Sequence, residues 1–205
     1  MKTNSIALKI LPKLFDVLRV LTLIFTGVAL LAATIKFSTS DYLEVTNYIR
    51  VDRQPIKTNI VPNSDEVKDI NIVANNAAVK ASFKRSFFTV FPTYLYLISF
   101  GWVLFIQFRT FRDFFYSIKN GTPFDPDNIK RLQIIGYTFL GLTFIEIAKH
   151  IVMNITFSHF INDIRFSAYY WSVGLSGVMW AIVTFIIADV FKYGFTLKKE
   201  NEEFV

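Results

Sequence analysis

The chain has 205 residues, is 53% hydrophobic and 17% aromatic, and carries a net charge of +6, with a mean hydropathy of +0.40. That balance is too apolar for a soluble domain of ordinary composition. The absence of cysteine excludes disulfides, thiolate metal sites and thiol nucleophiles, and two histidines argue against a conventional zinc cluster.

The apolar residues fall in four blocks of roughly 20 residues, the length a helix needs to cross hydrocarbon about 30 Å thick. The fold class expected is therefore an all-α membrane protein. It is a single four-pass domain over residues 1–205, with a small extracytoplasmic cap, β in character, between the first two helices. The first span is read at Leu14 to Ile35, after Lys2, Lys9 and Lys13. Ala32-Ala33-Thr34 is the nearest approach to a cleavage signal, but Ile35, Lys36 and three further spans follow it, so the first helix is expected to be retained.

The cap spans residues 37–86. Apolar and polar residues alternate in Tyr42-Leu43-Glu44-Val45-Thr46 and again near Ile70-Asn71-Ile72-Val73, with breakers at Pro55, Pro62 and Asn63, which predicts short strands or a hairpin. The second span is placed at Phe87 to Phe108, with helical periodicity continuing to Lys119. Asn120-Gly121-Thr122-Pro123 ends that helix and Asp125-Pro126 starts the next, as N-cap and first helical residue. The third span is Leu132 to Phe157. A return loop at Asn162-Asp163-Ile164-Arg165 and an aromatic belt at Tyr169-Tyr170-Trp171 lead into the fourth, Trp171 to Phe191.

Orientation follows from the basic residues of the short loops. Lys2, Lys9, Lys13, Arg109, Arg112, Lys119, Lys130, Arg131, Lys192, Lys198 and Lys199 gather on one side, whereas the short opposite loop has Arg165 alone. Arg50, Arg53 and Lys57 lie in a loop long enough to weaken the rule. Both termini are expected in the cytoplasm. The basic residues flank apolar blocks, so lipid headgroups account for them and direct nucleic-acid binding is not expected.

Ionisable groups inside a bilayer cost roughly 2.5 to 3.5 kcal/mol on insertion scales and call for a reason. Glu146, Lys149 and His150 share one face of the third span, with Glu146 about twelve residues, or roughly 18 Å, past its inner end. One reading is a proton-linked site with Glu146 titrating and His150 relaying. The blander and weightier one is a self-neutralised cluster that snorkels outward, because transport needs polar groups from several spans and only Thr26 and Ser99 stand out elsewhere. Near the inner surface, Arg19 and Asp189 are expected to pair the first span with the fourth, and Gly136/Gly141 and Gly174/Gly177 to allow close helix contact.

No GxSxG, HExxH, phosphate-binding glycine loop or pair of intramembrane aspartates is present. Catalytic, cofactor-binding and metal-binding residues are accordingly expected to be none, and the chain is not expected to be an enzyme.

Two stretches, Asn120-Gly-Thr-Pro-Phe-Asp-Pro-Asp-Asn-Ile-Lys-Arg-Leu132 and Asp189 to Val205, resemble a bacterial family of four-pass membrane proteins of unknown function. The resemblance runs from Phe111 to the end and rests on a Gly-x-Pro-Phe turn before an Asn and an Arg-Leu, then Phe-x-x-Gly-x-x-Leu-x-x-Glu. Pro123, Phe124, Asn128, Arg131, Leu132, Phe191, Gly194, Leu197 and Glu200 supply these positions, while Phe204-Val205 departs from a terminal Thr-aliphatic pattern. The family is often encoded beside a small Cro-like helix-turn-helix regulator, so the resemblance implies the membrane half of a regulatory pair in the bacterial inner membrane. Phe124, Asp125, Asn128, Arg131, Gly194, Leu197 and Glu200 are then the candidate partner-binding residues for that regulator or another soluble cytoplasmic protein. The competing expectations are a small transporter using Glu146 and His150, and a bracing role without a partner.

Overall fold

The computed structural model describes residues 6–48, 67–73, 78–160 and 170–203. Four long helices, α1 (Ile6–Thr39), α2 (Phe87–Lys119), α3 (Pro126–Phe160) and α4 (Tyr170–Glu203), enclose in sequence the strands β1 (Tyr42–Tyr48), β2 (Val67–Val73) and β3 (Ala78–Lys84). Each helix contains a segment long and apolar enough to cross a membrane.

The helices outrun the spans drawn from hydropathy. At 34 residues α1 is about 51 Å long, well beyond about 30 Å of hydrocarbon. Polar and charged ends do not stop a helix unless a breaker does, so α1 begins at Ile6 rather than Leu14 and α4 continues through Lys192 to Glu203. On that last stretch Lys198–Glu202 and Lys199–Glu203 pair at 3.6 and 3.7 Å, at the i,i+4 spacing that supports an exposed helix.

The cap strands near Tyr42 and Ile70 are present. Between them stands a third strand that hydropathy left unassigned, β3, the centre of an antiparallel sheet of order β1-β3-β2. Its alternation is visible in Val79, Ala81 and Phe83, but the lysines at 80 and 84 conceal it from an average. Leu43 pairs with Phe83 and Val45 with Ala81, and Leu43, Ala81 and Phe83 are buried on one face. The breakers Pro55, Pro62 and Asn63, the return loop Asn162 to Arg165, Tyr169 of the aromatic belt and Phe204-Val205 lie outside the described residues.

The chain forms two compact units. In the first, which includes 6–27, 99–144 and 175–203, polarity is inverted relative to a water-soluble bundle. Thr22, Gln107, Thr110, Thr138, Thr143 and Thr184 are buried, while Phe25, Trp102, Phe144 and Ile186 are more than half exposed. The threonines are satisfied within their own helices: Thr22, Thr110, Thr143 and Thr184 donate to the carbonyl four residues back, and Thr138 to that of Ile135. Small residues let the helices close. Gly101 lies under Thr26, Gly136 against the Phe185 ring and Gly177 against Thr143, so Gly136 and Gly177 make the close contacts expected of them. Four such helices make this a multi-pass membrane protein.

The expected Arg19–Asp189 pair does not form. Arg19 closes instead on Asp16, one turn back on α1, at 2.8 Å, while Asp189 is exposed. Asp16 is also reached by Arg112 of α2 at 3.3 Å, and Arg112 holds Asp113 at 2.8 Å. Local i,i+3 geometry costs less side-chain entropy than a bond to another helix, and Arg112 supplies the interhelical contact. Phe15 reinforces it by stacking on Phe111 and Phe115, with centroids 4.9 and 5.5 Å away.

Candidate functional site

The first unit carries the turn and tail singled out by the sequence. Helix α2 ends where Thr122 N–H donates to Ser117 O at 3.2 Å and Gly121 N–H to Ile118 O at 3.0 Å. This is the Schellman arrangement, and it demands a left-handed residue that Gly121 provides at φ 86°. Four residues later Asp125 caps α3: its Oδ1 accepts the Asp127 N–H at 2.9 Å and its carbonyl the Asn128 N–H at 2.9 Å, with Pro126 at the first helical position.

Asn128 locks the turn between those ends. It is fully buried, and its Nδ2 lies 2.9 Å from each of Ser117 Oγ, Thr122 O and Pro123 O, while Oδ1 accepts from Arg131 Nη1 at 2.7 Å. Two amide hydrogens serve three acceptors, so one bond is shared. Asp125, Asn128 and Arg131 therefore build the turn and hold its shape.

What the turn presents is Phe124. Its ring is 39% exposed and leans on Phe191 at 5.6 Å, which in turn packs on Phe114 at 5.6 Å, within the cluster of Phe114, Leu132 and Ala188. Gly194 allows the approach: a Cβ there would stand 2.5 Å from Phe124 Cε1. A shallow groove of about 760 Å³ follows, lined by Phe124, Gly194, Leu197, Lys198, Asn201 and Glu202. Three of the seven candidate partner-binding residues, Phe124, Gly194 and Leu197, thus meet in one groove, and Glu200 is exposed outside its lining. Lys198, Asn201 and Glu202 were not anticipated. Their signal was the i,i+3/i+4 spacing from Leu197 and Lys198, legible only once the tail was known to be helical.

The second unit contains the intramembrane polar residues. On α3, Lys149 Nζ donates to Glu146 Oε2 at 3.0 Å. The other carboxylate oxygen, Oε1, accepts from the Tyr96 hydroxyl of α2 at 2.7 Å. Lys149 also lies 4.7 Å from the centroid of the Tyr96 ring. Glu146 is thus satisfied from two helices, and His150, half-buried on the next turn of the same face, completes the set. Tyr96 is the member the sequence reading missed, since an aromatic in a span passes for lipid contact and its hydroxyl is not counted. Thr26, offered instead, packs on Gly101. Among the described residues no three His, Asp or Glu side chains converge as metal ligands.

A family described as protein of unknown function (DUF2975) matches residues 56–205. The chain belongs to that family. The match takes in the whole stretch from Phe111 onward on which the resemblance was drawn, so the Asn128 lock and the Phe124–Gly194 groove both lie within the DUF2975 region. Searches of curated proteins and of solved structures give no match.

Proposed function

We propose that this DUF2975 protein is a non-enzymatic sensor or anchor of the bacterial inner membrane, with both termini in the cytoplasm, which holds a soluble regulatory protein through the Phe124 groove. The observation that carries the reading is that groove: an exposed aromatic and an exposed leucine over a glycine floor, edged by the charged and amide groups of Lys198, Asn201 and Glu202. Apolar centres with polar rims are how protein surfaces take one anchoring side chain from a partner. The excess of Lys and Arg on this side supports its cytoplasmic placement. A small helix-turn-helix regulator is the partner the family's usual gene context suggests.

The test is co-purification of the regulator with the intact protein in mild detergent. Phe124→Ala and Leu197→Asp should each abolish capture while the protein keeps its unfolding temperature within a few degrees. Capture unaffected by both would refute the reading.

The second reading, a small transporter or proton-linked channel, draws its support from Tyr96, which brings a polar group from a second helix to Glu146. Against it stands the occupation of both carboxylate oxygens by donors. Flux in proteoliposomes that disappears in a folded Glu146→Gln variant would favour this reading over docking.

A further inference from the structure

In the second unit, where α1 ends and α2 begins, a fixed cation stands at the head of an aromatic trough. Arg85 follows β3 directly, and its Nη1 donates to the Phe37 carbonyl in the last turns of α1. Its backbone N–H donates to Asp41 O at 2.8 Å. The guanidinium is thereby positioned, yet the bond to Phe37 engages one of its five donors and the side chain remains exposed.

Beside it runs a groove of about 440 Å³, walled by Arg85, Ser86, Phe87, Val90, Phe91 and Tyr94. Its aromatic walls are ordered by their own contacts. Phe87 and Phe91 stack with centroids 5.1 Å apart, and Tyr94 is tied to Thr34 Oγ1 at 2.8 Å and leans on Phe37 at 5.4 Å. Phe87 and Phe91 are nevertheless 69% and 50% exposed.

The occupant follows from where the groove lies. An apolar trough on the flank of a membrane-length helix, at its terminal turn, is in contact with lipid. The aromatics suit the level at which acyl chains meet headgroups. The arginine binds the phosphate that every phospholipid carries, and the choice among lipids comes from the rest of the headgroup. An anionic lipid leaves that charge uncompensated, whereas a choline ammonium offsets it and is repelled by a cationic site. Lys36 and Lys84, each next in sequence to a residue of the Arg85–Phe37 contact, are exposed, and against these three cations stand the exposed acids Asp41 and Glu44.

We propose that the Arg85–Phe91 groove is a binding site for an anionic phospholipid, with the phosphate on Arg85 and an acyl chain along Phe87, Val90 and Phe91. The site is independent of the docking groove around Phe124 and of any cytoplasmic partner.

The experiment is native mass spectrometry of the full chain released from mixed micelles holding equal phosphatidylglycerol and phosphatidylcholine. The wild type should retain phosphatidylglycerol over phosphatidylcholine by about tenfold, the preference coming from the uncompensated negative charge of phosphatidylglycerol beside the site's cations. Arg85→Gln should bring that ratio to about one, whereas Lys192→Gln, which removes a cation elsewhere, should leave it unchanged. Because Arg85 also secures the end of α1, the double variant Phe87→Ala/Phe91→Ala, which spares the bond to Phe37, provides a second route. It should lower retention of both lipids severalfold. Equal retention of the two lipids by the wild type, a ratio unmoved by Arg85→Gln, or full retention by the double variant would overturn the site.

Discussion

Asn128 and Glu146 are both polar side chains with every oxygen engaged, and they do opposite work. Asn128 is fully buried, and beside its bonds to the Ser117 and Arg131 side chains its amide donates to two backbone carbonyls of its own turn, partners that cannot move without unfolding the turn. Glu146 is about one-fifth exposed and is held by the tips of two side chains, Tyr96 and Lys149, which can exchange rotamers. Anchorage on backbone carbonyls marks a group that fixes shape, while bonding to side chains alone marks one whose partners can be traded. The first supports a rigid surface at Phe124. The second keeps alive a transport reading at Glu146.

That contrast can be broken by substitution. Asn128→Ala should be the most damaging change, since it strips the Asn128 donor from Pro123 O and the acceptor from Arg131 Nη1 and leaves Thr122 O only its bond from Ser117 Oγ. A loss of roughly 3 kcal/mol or more is expected, read as a fall in the unfolding temperature in detergent. If Asn128→Ala unfolds at the wild-type temperature, the turn is not held as described. Gly194→Ala comes next: its Cβ meets the Phe124 ring, and overpacking should cost about 1 to 3 kcal/mol while displacing Phe124 from the groove. For Glu146, a double-mutant cycle of Tyr96→Phe with Glu146→Gln should return a coupling of about 0.5 to 2 kcal/mol, the range seen for polar contacts between membrane helices. A coupling near zero would mean that Tyr96 and Glu146 are neighbours without mutual support. Smallest in stability, Leu197→Ala should change unfolding by less than about 0.5 kcal/mol, because its side chain is 42% exposed, yet weaken partner capture measurably.

The four helices, the capped turn and the β character of the cap were legible because hydropathy, glycine and proline report local backbone preference directly. Asp125 as N-cap and Gly121 as helix terminator are pure local chemistry. What escaped was long-range or depended on a single atom. The β3 strand hid behind Lys80 and Lys84, whose charges mask a two-residue alternation. Tyr96 was invisible as a Glu146 partner because only its hydroxyl is polar, and Arg19 was assigned a distant acid when a nearer one sat one turn away. The groove at Phe124 was half readable: its apolar residues stood out as motif positions, but Lys198, Asn201 and Glu202 acquire a common face only through the unbroken run of α4.

The docking account turns most directly on photo-cross-linking in native membranes, with a photoreactive residue in place of Leu197 and the products identified by mass spectrometry. The account predicts a cross-link to a soluble helix-turn-helix regulator that disappears when Phe124→Ala is introduced in the same chain. Cross-links only to the protein itself, from a folded and correctly inserted chain with that regulator present, would contradict it.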